Sequence, residues 1–286
     1  MRWRAAALVA VLLTLGGCAV HRQPDDGRVR VVAGFYPLQF VAEQIGGDRV
    51  AVQNLTRGGA EPHDLELQPS QLAALEDAGL VLYLRGFQPA VDEAVDLQDK
   101  DRTFDVSGVE PLHDADPHVW LDPVRLAAIA EQVAGRLAAA DAADPANAGG
   151  YRSRADDLAA RLHELDGEYE RGLSDCARHD LVTSHEAFGY LAARYHLVQV
   201  PVTGLNPDEE PGPQRVRDVA RLAKERGVTT IFFESLVSPK LSETVAREVG
   251  AKAAVLDPIE GVEDGETYFT TMRANLAALR DALGCR

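Results

Sequence analysis

The sequence predicts an α/β protein of two doubly wound lobes, each built on a parallel sheet, joined by one long helix. Three observations predict it. Short apolar runs of strand length alternate with helical patterns, and such alternation gives parallel sheets. The element order of the first half returns in the second with similar spacing, as a repeat of architecture without residue identity. Between the halves, residues 146–174 form an unbroken helical pattern with Tyr151, Leu158, Leu162, Leu165 and Tyr169 on one face.

In the first half, residues 29–34 read as a strand, followed by a helix carrying Leu38, Phe40, Val41 and Ile45 and closed by Gly46-Gly47. Residues 50–55 are the second strand. A loop with Gly58, Gly59, Pro62 and His63 leads to a helix from about Pro69, capped by Ser70 or a neighbour, and residues 80–84 give the third strand. A proline-started helix and a short strand at 104–106 follow. Residues 124–141 form an amphipathic helix, with Asp122 as its N-cap and Pro123 at its first position. In the second half, strands are expected at 181–184, 197–202, 229–233 and 253–256, and helices at 188–195, 215–226 and 239–249. The organisation is thus a leader at 1–17, a tether at 18–28, an N-terminal lobe at 29–145, a linker helix at 146–175 and a C-terminal lobe at 176–286.

Composition narrows the function. The 286 residues are 46% hydrophobic, enough for packed cores, and the formal charge of -16 leaves no basic footprint for nucleic acid. The N-terminus carries Arg2 and Arg4, then an apolar run from Ala5 to Leu15 too short to span a bilayer, then Gly16-Gly17 before Cys18. This is an export signal. Its ending resembles the bacterial lipobox, which implies diacylation of Cys18 and anchoring on the extracytoplasmic face, with simple secretory cleavage as the alternative. Cys176 and Cys285 then remain in an oxidising compartment, where a disulfide between them is expected.

The chemistry centres on Asp116-Pro117-His118-Val119-Trp120-Leu121-Asp122-Pro123. The two prolines keep the residues before them extended, so His118 sits in a short stiff loop. Ligands in open α/β sheets bind beyond the carboxyl ends of strands. Those ends deliver His63, His118, His185, Glu234 and Asp257. Three imidazoles and one carboxylate suit a tetrahedral zinc ion, with no thiolate needed. His21, His163, His179 and His196 fall elsewhere, and His113 is read as playing no part.

Glu61-Pro62-His63-Asp64, the loop around His118, Ser184-His185-Glu186-Ala187-Phe188-Gly189-Tyr190, Phe233-Glu234-Ser235 and Leu256-Asp257-Pro258, in that order, resemble the zinc-uptake class of ABC-transporter solute-binding proteins. The resemblance covers nearly all of the mature chain. It implies two lobes with the metal between them, His63, His118 and His185 on the metal, Asp257 as fourth ligand, and delivery of Zn2+ to a membrane permease. It also implies a monomer. Manganese-carrying relatives have a carboxylate where His185 stands, and imidazole-rich sites favour zinc. No long histidine-rich loop precedes His118. Glu234 is expected to orient a ligand, with Glu61 and Glu186 as weaker candidates. Because imidazoles must be neutral to bind, affinity should fall below about pH 6.

Other functions fit the sequence less well. A zinc hydrolase fits poorly: His185-Glu186 opens like the helical zinc-protease motif, but position 189 is glycine where the second histidine is required. A manganese or other divalent-metal receptor and an adhesin-type lipoprotein are further alternatives. The acidic runs Asp208-Glu209-Glu210 and Glu263-Asp264-Gly265-Glu266 read as solvated loops.

Overall fold

The computed structural model describes residues 27–56, 58–109, 112, 116–236, 238–263 and 265–286. The leader, Cys18, His21, His113 and all of the tether before Gly27 lie outside the described residues.

Strand β1 (Val29–Ala33) leads into α1 (Tyr36–Gly46), whose first turn carries Pro37 and whose end is set by Gly47 at φ 54°. Then come β2 (Val50–Asn54), α2 (Pro69–Asp77), β3 (Leu80–Tyr83), α3 (Pro89–Asp96) and β4 (Thr103–Asp105). The cap of α2 falls on Gln68, which shares a reciprocal capping box with Gln71, because Pro69 already occupies the first helical position. Helix α4 (Pro123–Ala140) starts at Asp122, whose carboxylate accepts from the N–H groups of Val124 and Arg125. The 27-residue α5 (Asn147–Leu173) follows. The second half runs β5 (Asp180–Thr183), α6 (Gly189–Arg194), β6 (Val198–Pro201), α7 (Pro213–Glu225), β7 (Thr230–Phe233), α8 (Lys240–Val249), β8 (Lys252–Val255) and α9 (Tyr268–Leu283).

The sheets have the orders β2-β1-β3-β4 and β6-β5-β7-β8, with every pairing parallel. The repeated architecture is therefore a repeated topology. At ~1.5 Å per residue, α5 runs about 40 Å between the sheets. It is fastened at both ends. Arg154 donates to the carbonyl of Gly46 at 3.2 Å, tying it to α1, and Asp166 accepts both Arg194 Nε and Nη2 at 2.8 and 2.9 Å, tying it to α6.

One helix was not anticipated. Beyond the last strand, α9 returns across the molecule to pack on the first lobe: Tyr268 stacks on Phe40 with ring centroids 5.3 Å apart, and its N–H donates to the Tyr36 hydroxyl at 3.0 Å. Thr267 caps it through a box with Thr270, and Gly284 ends it in the left-handed region. The two lobes are thus joined by packing as well as by α5, since one continuous apolar core includes Ile45, Trp120, Leu162, Tyr169, Phe188 and Met272.

The Cys176–Cys285 disulfide is formed and closes a segment with a sequence separation of 109. On the loop-entropy model a loop of that size contributes about 4 to 5 kcal/mol. Replacing both cysteines with serine is therefore expected to lower the urea midpoint of the metal-free protein, by an amount corresponding to ~2 to 5 kcal/mol. A midpoint unchanged by the double substitution would contradict this. No helix among the described residues is long and apolar enough to cross a membrane.

Candidate metal centre

Four loops, two from each half of the chain, converge on one point. The β2–α2 loop brings His63, the segment before α4 brings His118, the β5–α6 loop brings His185, and the β8–α9 loop brings Glu260. One ligand atom from each lies within 4.8 Å of the others. Glu260 Oε1 stands 3.1 Å from His118 Nε2, 3.4 Å from His63 Nε2 and 3.7 Å from His185 Nε2, and His118 Nε2 is 3.4 Å from His185 Nε2. A tetrahedron with donors at about 2.0 to 2.1 Å from its centre has edges of about 3.3 to 3.4 Å. These four of the six edges scatter around that value, and the other two, from His63 to His118 and to His185, are within 4.8 Å.

Each of two imidazoles is held by a carboxylate on its far nitrogen. Asp116 Oδ1 lies 2.7 Å from His118 Nδ1 and also accepts the His118 N–H at 2.9 Å. Glu234 Oε1 lies 2.5 Å from His185 Nδ1 and also accepts the Ser184 hydroxyl. A carboxylate on Nδ1 fixes the ring and leaves Nε2 aimed into the centre. Asp116 was not anticipated in this role, although its place two residues before a histidine in an Asp-Pro-His run is a legible signal. Glu61 Oε1 accepts the His63 N–H at 3.1 Å. Aromatic rings wall the site: Phe87 lies 4.6 Å from the His63 ring and Trp120 lies 5.2 Å from the His118 ring, centroid to centroid.

Asp257 is not in this group. Its Oδ1 accepts the Ile259 N–H at 2.7 Å, its Oδ2 accepts the Ser235 hydroxyl, and its main chain is pinned by the Asn275 amide. The chain turns after Pro258 and carries Glu260 inward, so the carboxylate at the centre is three residues beyond the one expected. Glu186 is exposed, as are His163, His179 and His196.

The electrostatics are those of a cation site holding protons. Burial would push His118 down, but hydrogen bonds to Asp116 and Glu260 outweigh it and raise its pKa. His185 is likewise opposed by burial yet pushed up to about 10 by Glu234 and Glu260. Burial would raise Glu260, but the three imidazoles hold it well below the usual carboxylate range. Glu61, raised by burial and then by the Glu260 charge, reaches about 8. Glu260 Oε2, Glu61 Oε2 and His63 Nε2 are buried without hydrogen-bond partners. Orphaned buried acceptors of this kind are satisfied by a cation of suitable size.

Comparison with known proteins agrees with this picture. The model of a family described as "zinc-uptake complex component A periplasmic" matches residues 31–282. A "zinc-binding protein AdcA" of Streptococcus pyogenes serotype M6 is 31% identical over 291 residues, covering 89% of this chain but only 56% of the relative, so the chain spans little more than half that protein's length. The "high-affinity zinc uptake system protein ZnuA" of Bacillus subtilis is 32% identical over 307 residues, covering 97% of this chain and 95% of the relative. The crystal structure of the Zn(II)-bound ZnuA-like domain of Streptococcus pneumoniae AdcA superposes with a TM-score of 0.79 at 33% identity, covering 90% of this chain and 99% of that one.

Proposed function

The chain belongs to the zinc-uptake complex component A family, and from that membership we propose that it is an extracytoplasmic receptor that captures Zn2+ and hands it to an ABC-transporter permease. His63, His118, His185 and Glu260 hold the ion. The observation that carries this reading is the convergence of His63, His118, His185 and Glu260, whose ligand atoms all lie within 4.8 Å of one another, with four of the six donor–donor edges at 3.1, 3.4, 3.7 and 3.4 Å, near those of a tetrahedral shell at zinc bond lengths. Three imidazoles with one carboxylate favour zinc over manganese or magnesium, which prefer oxygen.

The chemistry is binding and release. Asp116 and Glu234 accept the Nδ1–H of His118 and His185, so the Nε2 lone pairs face the ion once their protons leave. Trp120 Nε1 donates to the Pro258 carbonyl at 2.7 Å and the Tyr268 hydroxyl to the Trp120 carbonyl at 2.7 Å, binding the His118 segment to the Glu260 loop from the opposite half. With α5 and α9 packed across both lobes, entry and exit of the ion fall to local loop movement, and wide hinge opening is disfavoured.

The remaining assignments complete the proposal. Residues 1–17 are the leader, Cys18 the lipid-modified anchor, residues 18–28 the tether, and 29–145, 146–175 and 176–286 the lobe, linker and second lobe. The receptor acts as a monomer at the membrane surface, with no nucleic acid partner.

The test is metal content and competition titration of chelator-stripped protein lacking residues 1–18, against zinc and manganese. One zinc per chain, held at nanomolar Kd or tighter, corresponding to roughly 12 kcal/mol, is expected, with manganese unable to displace it. Micromolar zinc binding, or preference for manganese, would refute the reading.

A further inference from the structure

Ile259 is out of place by ordinary backbone rules. It is fully buried and β-branched, yet its φ is 60°, in the left-handed region that such side chains avoid. The only other non-glycine residue with positive φ among the described residues is His196, exposed and remote from the metal centre. A strained residue persists only where its surroundings hold it there, and such residues concentrate at functional sites. The residue that follows Ile259 is Glu260.

The surroundings that hold the turn can be named. The Ile259 N–H is accepted by Asp257 Oδ1 at 2.7 Å, a side-chain turn closed two residues on. The other oxygen of Asp257 accepts from Ser235, which directly follows the residue that holds His185. Asn275 accepts the Asp257 N–H at 2.9 Å and donates to its carbonyl at 2.7 Å, and Trp120 Nε1 donates to the Pro258 carbonyl at 2.7 Å.

We infer that Asp257 is a positioning residue for metal binding: its carboxylate clamps the Ile259 N–H and so holds the left-handed turn that places Glu260 among His63, His118 and His185. This inference rests on the zinc-receptor reading and adds to it a residue that controls affinity without touching the ion. Without the clamp, Ile259 relaxes to a negative φ, and the Cα–Cβ bond of Glu260 swings with the rotated backbone.

Zinc competition titration of the chain lacking residues 1–18 tests it, with unfolding midpoints recorded alongside. Asp257→Ala is expected to weaken zinc binding about 10- to 100-fold, the range for partners that orient a metal ligand. Asp257→Asn is expected to recover affinity to within about 3-fold of the native chain, because its amide oxygen still accepts the Ile259 N–H. In a Glu260→Gln background, Asp257→Ala is expected to add no further loss, since the group it positions no longer ligates as a carboxylate. Loss in Asp257→Asn as large as in Glu260→Gln would overturn the inference, because it would mean that the Asp257 charge itself meets the ion. So would a loss from Asp257→Ala that multiplies with that of Glu260→Gln, the pattern of a general structural defect. If Asp257→Ala does not fold, the comparison of Asp257→Asn with Glu260→Gln decides alone. A native chain that takes up no zinc overturns the receptor reading and this inference together; a native chain that binds zinc while Asp257→Ala binds it equally well overturns only the inference.

Discussion

His118→Ala is expected to weaken zinc binding by at least about 100-fold, against less than about 2-fold for His163→Ala on the exposed face of α5. The figure follows from sharing roughly 12 kcal/mol among four donors, about 3 kcal/mol each, with 1.4 kcal/mol per tenfold. His118 also stands between two carboxylates, Asp116 at 2.7 Å and Glu260 at 3.1 Å. Its removal takes one partner from each of these buried carboxylates, while Asp116 keeps the residue-118 N–H and Glu260 keeps His63 and His185, so the metal-free protein should lose about 1 to 3 kcal/mol of stability as well. Competition titration and urea unfolding measure the two effects separately. Equal affinities for the two alanine variants would refute the assignment of His118.

The second large effect is a pair of opposed pH dependences. His118 and His185 have raised values in the folded chain, against 6.5 when unfolded, so the stability they contribute is complete below about 6.5 and is lost as pH rises through their folded values, about 10 for His185. Glu260 is depressed, so its contribution is present above its unfolded value of 4.5 and is lost as pH falls through its folded value. Glu61, raised to about 8, favours the folded chain less as pH climbs from 4.5 to 8. The metal-free protein should therefore be most stable between about pH 4.5 and 6.5, with a falling melting temperature from pH 7 to 10. Zinc binding runs the other way. At pH 7 the ion must displace a proton from His185, so affinity should rise by about tenfold per pH unit for each proton released, from pH 6 to 9. This extends the pH effect well above the pH 6 limit that ordinary imidazoles would set. Calorimetry in buffers of different ionisation enthalpy counts the protons; affinity independent of pH over that range would contradict the electrostatic reading.

What was legible in the sequence has a physical cause. The central strands of the parallel sheets are buried, so they read as short apolar runs such as Leu80 to Tyr83, and prolines stand at the starts of α1, α2, α3, α4 and α7. The strand-end rule picks out the loops of His63, His118 and His185, which the structure brings together, and each of those loops holds one histidine within its described part. The same rule failed to choose among carboxylates. The loop after β8 contains both Asp257 and Glu260, and which one faces inward depends on the positive φ of Ile259, which no residue pattern announces. Helix α9 was overlooked although Tyr268, Met272, Asn275, Leu279 and Leu283 recur at helical spacing between a threonine cap and a glycine stop. Its docking against the first lobe is a tertiary matter and could not be read from periodicity.

The ring of Trp120, 5.2 Å from that of His118, gives the molecule an optical property. The sequence has two tryptophans, Trp3 and Trp120, so the chain lacking residues 1–18 carries a single indole, and it sits beside the His118 ring. A protonated imidazole in contact with an indole quenches its emission more strongly than a neutral one. When zinc replaces the His118 proton, emission should brighten, and the unlabelled protein would report its own occupancy in real time.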